Sequence, residues 1–129
     1  YRTLPGREHT GIGGSSLGGL LASFAGLTFP DVFGRLMVFS PSLWVSNRIF
    51  FDAIHFFEPY DTRLYLYGGG KEGANMVQNL KALYETIDRQ GFGTDKLKVK
   101  LQIDPEGEHK EARWGEELPN ALRWLFVEE

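Results

Sequence analysis

The sequence has no cysteine. That excludes disulfide cross-links and thiolate nucleophiles and fits a reducing compartment, so a cytoplasmic location is the expectation. A dominant charge is missing too: 14 Lys and Arg stand against 17 Asp and Glu, for a formal net charge of −3. Without a basic field, nucleic acid is not an expected partner. No apolar run approaches the length of a membrane span and no signal peptide opens the chain, so no membrane partner is expected. The first residue is Tyr1 rather than methionine, which leaves room for a targeting segment upstream. Histidine is scarce, at three residues, and nothing has the ligand spacing of a zinc site, so neither a metal nor a cofactor is expected. Repeats and low-complexity linkers are absent as well.

What remains is an ordinary globular composition: 129 residues, 42% hydrophobic, enough to bury the core of one domain spanning 1–129. The punctuation predicts alternating strands and helices. Residues 8–13 read as a short strand running into "GIGGSSLGG". Leu17, Leu20, Leu21, Phe24 and Ala25 then recur at helical spacing, with Pro30 past the end of the run. Leu36 to Phe39 and Leu64 to Tyr67 are continuous apolar runs, as expected of strands covered on both faces. Met76, Val77, Leu80, Leu83, Tyr84 and Ile87 mark a helix with Gly91 as its stop signal. Leu97, Val99, Leu101 and Ile103 alternate with lysines and Gln102, which predicts a strand at or near the sheet edge. Trp114, Leu118, Leu122 and Leu125 give a closing helix in which Pro119 is expected to force a kink or a break. The order β-α-β-x-β-α-β-α predicts an α/β fold, a mostly parallel sheet with helices on both faces.

The glycine cluster admits three readings. A P-loop would end in Gly-Lys-Ser/Thr, and no lysine is near. A dinucleotide fingerprint would need glycine at position 16, where Ser16 stands. The third reading is Gly14-Ser15-Ser16-Leu17-Gly18, a match to G-x-S-x-G between a strand and a helix. There the serine occupies a strained turn, and the flanking glycines let strand and helix cross closely. The Leu17 N–H would then face a developing oxyanion. The bland alternative is a glycine-rich connection without chemistry.

A serine nucleophile needs a base, and the base needs an orienting acid, in the chain order Ser, Asp/Glu, His. His9 precedes the serine on the incoming strand and reads as a structural or surface residue. His55, on a helix in "DAIHFFEPY", reads as a packed histidine. His109 follows the alternating strand at a carboxyl end, where open α/β sheets carry their chemistry, and is the expected base. Glu72 follows the strand 64–67 within "YGGGKEGAN" and is the expected acid, against the alternative of a solvated carboxylate near a helix N-terminus. Asp104 competes from the connection that carries the histidine. Asp61 precedes its strand, at the wrong end of the sheet.

"GGSSLGGLLASFAGLTFPDVFGRLMVFSPSLW" resembles the serine turn, first helix and following strand of the Putative esterase family within the α/β-hydrolase superfamily. That group includes siderophore (enterochelin-type), feruloyl and acetyl-xylan esterases, S-formylglutathione hydrolases and the antigen 85 mycolyltransferases. "YLYGGGKEGANM" resembles its acid-bearing loop, and "GEHKEARWGEELPNALRWLF" its histidine loop and closing helix. The resemblance implies Ser16 as nucleophile, Glu72 as acid and His109 as base, with Trp44 near the substrate pocket. From the residues alone, Trp44 reads equally as a core aromatic. Phe50, Phe51, Phe56, Phe57 and Tyr60 likewise read as a pocket wall or as helix packing.

Members of that family are longer and begin with further strands and a loop carrying a second oxyanion donor. The chain is therefore expected to be the C-terminal part of such a domain. Taken alone it is expected to be a poor catalyst and to self-associate, swap segments or need the missing half to be soluble. The expected function is a serine carboxylic-ester hydrolase with a Ser-Glu-His triad, acting through an acyl-enzyme on a small-molecule ester. The rivals are an acyltransferase on the same site and a non-catalytic relative that binds carbohydrate or peptide.

Overall fold

The two continuous apolar runs become neighbouring strands at the centre of a four-stranded parallel sheet. The structure, a computed structural model, describes residues 1–49, 60–89 and 96–128. Its strands are β1 (Gly11–Ser15), β2 (Arg35–Phe39), β3 (Thr62–Gly69) and β4 (Leu97–Asp104), in the spatial order β1-β2-β3-β4. Among its helices are α1 (Leu17–Thr28), α2 (Met76–Arg89) and α3 (Glu111–Phe126). Alternation along β2 and β3 divides the core in two. Leu36, Val38, Leu64 and Leu66 pack with Ala22 of α1 and with Met76, Leu80, Leu83 and Ile87 of α2. Phe39, Tyr65 and Tyr67 point the other way and pack with Ala121 and Leu125 of α3. Both faces are covered, which is why these strands carry no polar alternation. Among the described residues β4, with its lysines, pairs with β3 alone and forms an edge.

Several local expectations are corrected. Residues 7–9 form a 3₁₀ turn and the strand starts later, at Gly11. Arg7 holds that turn against the base of the sheet, donating from Nε to the Pro30 carbonyl at 2.7 Å and from Nη2 to Thr62 Oγ1 at 2.9 Å. On α1 the fully buried residues are Gly19, Ala22, Ser23 and Gly26, while Leu17 and Leu21 are exposed. Small residues win that face because the helix lies close to the sheet: a Cβ on Gly26 would meet the Leu36 side chain at 2.4 Å. On α3, Leu125 is buried as expected, but Leu118 and Leu122 are exposed beside the free side of β1. Pro119 does not break α3. Both Pro119 and Gly115, whose carbonyl the proline leaves without its N–H partner, are exposed, so water can satisfy that carbonyl. Gly91, His55, Phe50, Phe51, Phe56 and Phe57 lie outside the described residues. Tyr60 sits ahead of β3, at the end of the sheet away from Ser16, and so does not wall a pocket there.

Candidate active site

Register brings the carboxyl ends of the strands level. Ser15 pairs with Phe39, Phe39 with Tyr67, and Tyr67 with Gln102. The ladder continues one step further, with Ser16 N–H donating to the Phe39 carbonyl at 2.9 Å and Ser40 N–H to the Tyr67 carbonyl at 2.7 Å. The segments leaving these strands therefore emerge along one rim.

Ser16 stands between β1 and α1 at φ 59° and ψ −122°, outside the regions comfortable for an L-residue. The turn that imposes this is tight. A Cβ on Gly14 would lie 2.5 Å from the Gly18 backbone, so only glycine lets the chain double back there. Leu17 is the first residue of α1, and its N–H consequently has no acceptor within the helix.

The loops after β3 and β4 are laced together by backbone. Gly70 N–H donates to the Asp104 carbonyl at 2.8 Å and Lys71 N–H to the Gly107 carbonyl at 2.9 Å. Gly69 passes so near this second loop that a Cβ would meet the Gly107 carbonyl oxygen at 2.2 Å. The glycine-rich run is thus the condition for bringing Glu72 up to His109.

The side chains complete the contact. His109 Nδ1 lies 2.5 Å from Glu72 Oε1, and His109 Nε2 lies 3.0 Å from Ser16 Oγ. A carboxylate only accepts, so Nδ1 carries the proton and Nε2 is left to accept from the serine hydroxyl. The Glu72 side chain is 0% exposed and His109 38%. Burying a carboxylate requires donors. Besides His109, Glu72 receives the Gly69 N–H at 2.5 Å and the Ser40 hydroxyl at 2.7 Å, both on Oε2. Ser40 in turn accepts from Trp114 Nε1–H at 2.9 Å.

A family model described as Putative esterase matches residues 1–125. The chain belongs to that family. Among curated relatives, it is 30% identical over 126 residues to the uncharacterized Bacillus subtilis protein YbbA, covering 92% of this chain and 50% of that protein. The chain thus spans half the length of that relative. Among solved structures, the BES protein from Bacillus cereus superposes with a TM-score of 0.82 at 23% identity, over 95% of this chain and 47% of that one. The enterochelin esterase from Shigella flexneri gives 0.77 at 24% identity, over 96% of this chain and 32% of that one. These two likenesses establish the α/β fold.

The other candidates of this esterase-family chain stand apart. Asp104 is engaged elsewhere, accepting from the Tyr67 hydroxyl and from Glu106 N–H at 3.1 Å each and pairing with Arg113 at 3.7 Å. His9 is exposed in the 3₁₀ turn, 3.6 Å from Glu8, rather than on the strand. Trp44 is 61% exposed in a turn over Leu43–Val45, which removes the reading of it as a core aromatic. An apolar cavity of about 240 Å³ between β1 and α3 contains none of Ser16, Glu72 and His109.

Ser40, Ser42 and Trp114 were not among the sequence candidates. Ser42 Oγ lies 3.3 Å from Ser16 Oγ. The available signals were "FSPS" at the carboxyl end of β2 and a tryptophan five residues after His109, one turn into α3. Among the described residues, no cluster of His, Cys, Asp or Glu could hold a metal ion, and no helix is long and apolar enough to cross a membrane.

Proposed function

We propose that the chain carries the reaction centre of a serine carboxylic-ester hydrolase. The observation that supports this best is the line of hydrogen bonds from buried Glu72 through both ring nitrogens of His109 to Ser16, which sits in a strained turn. The Ser16 hydroxyl attacks the ester carbonyl while its proton passes to His109 Nε2. The alcohol leaves with that proton, and an acyl-enzyme remains. Water, deprotonated by the same imidazole, then releases the acid and frees the serine. Glu72 holds the tautomer this sequence requires and stabilises the imidazolium formed in it. The Leu17 N–H supplies one donor to the oxyanion. Trp44, exposed and two residues beyond Ser42, is proposed to border the small-molecule ester. The cysteine-free composition favours a cytoplasmic setting.

The test uses the complete natural chain containing these residues. A fluorophosphonate probe should label Ser16, and a short-chain nitrophenyl ester should be turned over. Ser16→Ala should lower kcat by about 10⁴–10⁶-fold with the fold retained. Labelling at another residue, or near-parental turnover by Ser16→Ala, would remove the proposal.

A further inference from the structure

Glu72 is held from behind by Ser40, and Ser40 in turn by Trp114, two side chains that the reaction does not use. Ser40 is 0% exposed and follows β2 at φ 44°, a left-handed conformation that costs a non-glycine residue energy. Its backbone N–H is fixed on the Tyr67 carbonyl, so the hydroxyl has little freedom of position. The direction of its proton is also settled. An indole N–H is a donor only, so Ser40 Oγ accepts from Trp114 Nε1 and has its single proton left for Glu72 Oε2. Together with Gly69 N–H, this fills Oε2 and leaves Oε1 to His109. Trp114 also borders the imidazole directly, its ring 5.0 Å from that of His109 at an interplanar angle of 86°.

We infer that Ser40 and Trp114 are positioning residues: a Trp114–Ser40 relay fixes the rotamer of Glu72 and thereby the tautomer and tilt of His109. This rests on the hydrolase reading above. Glu72 sits on a glycine-rich loop, where the backbone alone leaves its side chain several rotamers. The relay pins it from β2 and α3, elements packed into the core. Ser40 is 0% exposed and its hydroxyl is engaged by Trp114 and Glu72, so a substrate has no access to it. Its loss should therefore reduce kcat and leave KM unchanged.

The experiment measures Ser40→Ala, Trp114→Phe and the double variant in the complete natural chain, with Ser16→Ala alongside. Trp114→Phe keeps a ring beside His109 and deletes the N–H. A hydrogen bond to a charged group sets the scale, so Ser40→Ala should lower kcat by about 10- to 100-fold at constant KM. Trp114→Phe should cause a smaller loss, and the double variant should be no worse than Ser40→Ala, since Trp114 acts on Glu72 through Ser40. The low-field proton NMR resonance of His109 Nδ1–H should move in both single variants. If Ser40→Ala does not fold, Ser40→Gly suits φ 44° and removes the same hydroxyl. Parental kcat in a folded Ser40 variant whose turnover still requires Ser16, or an unmoved resonance, would overturn the relay. Fully additive losses would overturn the route through Ser40. Turnover that survives Ser16→Ala would instead sink the hydrolase reading, and the resonance then decides the relay alone.

Discussion

Glu72 keeps a carboxylate where water does not reach it, and it does so because every donor around it is aimed at an oxygen. Gly69 N–H and the Ser40 hydroxyl meet Oε2, and His109 meets Oε1. An amide of the same shape cannot fit that pattern, since its NH₂ must face a donor. Glu72→Gln should therefore rotate the side chain or turn His109 to the wrong tautomer. The expected cost is about 10⁴-fold in kcat, with little change in thermal stability. Steady-state kinetics with ¹⁵N NMR of the imidazole would check both, and a Gln variant within tenfold of the parent would show that the acid is dispensable. Trp114 illustrates the same point from the other side. As part of a helical stripe with Leu118, Leu122 and Leu125 it is one apolar residue among several, and its N–H partner and its contact with the His109 ring distinguish it.

Among the elements, the loops after β3 and β4 are the joint on which the site depends. Their lacing is backbone on backbone, so a clash there cannot be relieved by turning a side chain. Gly69→Ala would set a methyl 2.2 Å from the Gly107 carbonyl oxygen and force the loops apart. A loss of about 1–3 kcal/mol in unfolding free energy is expected from such overpacking. Slower fluorophosphonate labelling should accompany it, because His109 travels with the second loop. Urea denaturation and labelling rates measure the two effects separately. Unchanged values for both would mean that the close approach is not needed. The contact of α1 with the sheet follows the same logic, with Gly19 and Gly26 in place of the leucines that its periodicity favours.

Across the molecule, the face of the sheet under α3 is built from aromatics, two of them with polar tips. Tyr65 and Tyr67 are each 1% exposed, and their hydroxyls donate to Glu117 and Asp104. Burial first, and then those carboxylates, push both phenols well above the usual tyrosine range. In the unfolded chain a tyrosine ionises near about pH 10. The folded state keeps its proton longer, so the stability these groups contribute is intact below that pH and is lost as the pH rises above it. Alkaline titration followed by tyrosinate absorbance and circular dichroism should show Tyr65 and Tyr67 ionising only as the fold is lost. A full tyrosinate signal from a still-folded chain would contradict the burial.

The order of elements, the α/β class and the rim of the sheet on which Ser16, Glu72 and His109 lie could all be read from residue order alone. Each of these is a local property: a run of apolar residues, a turn spelled by glycine, a distance along the chain from a strand end. Whatever depends on segments far apart was settled by three-dimensional packing. It engaged Asp104 with Tyr67, left Leu17 and Leu21 outside, and joined Ser40 to Glu72 and to Trp114 across 32 and 74 residues. Periodicity reports how hydrophobic a face is but not how close its neighbour lies. A hydrogen bond between distant loops leaves no spacing in the sequence by which to find it.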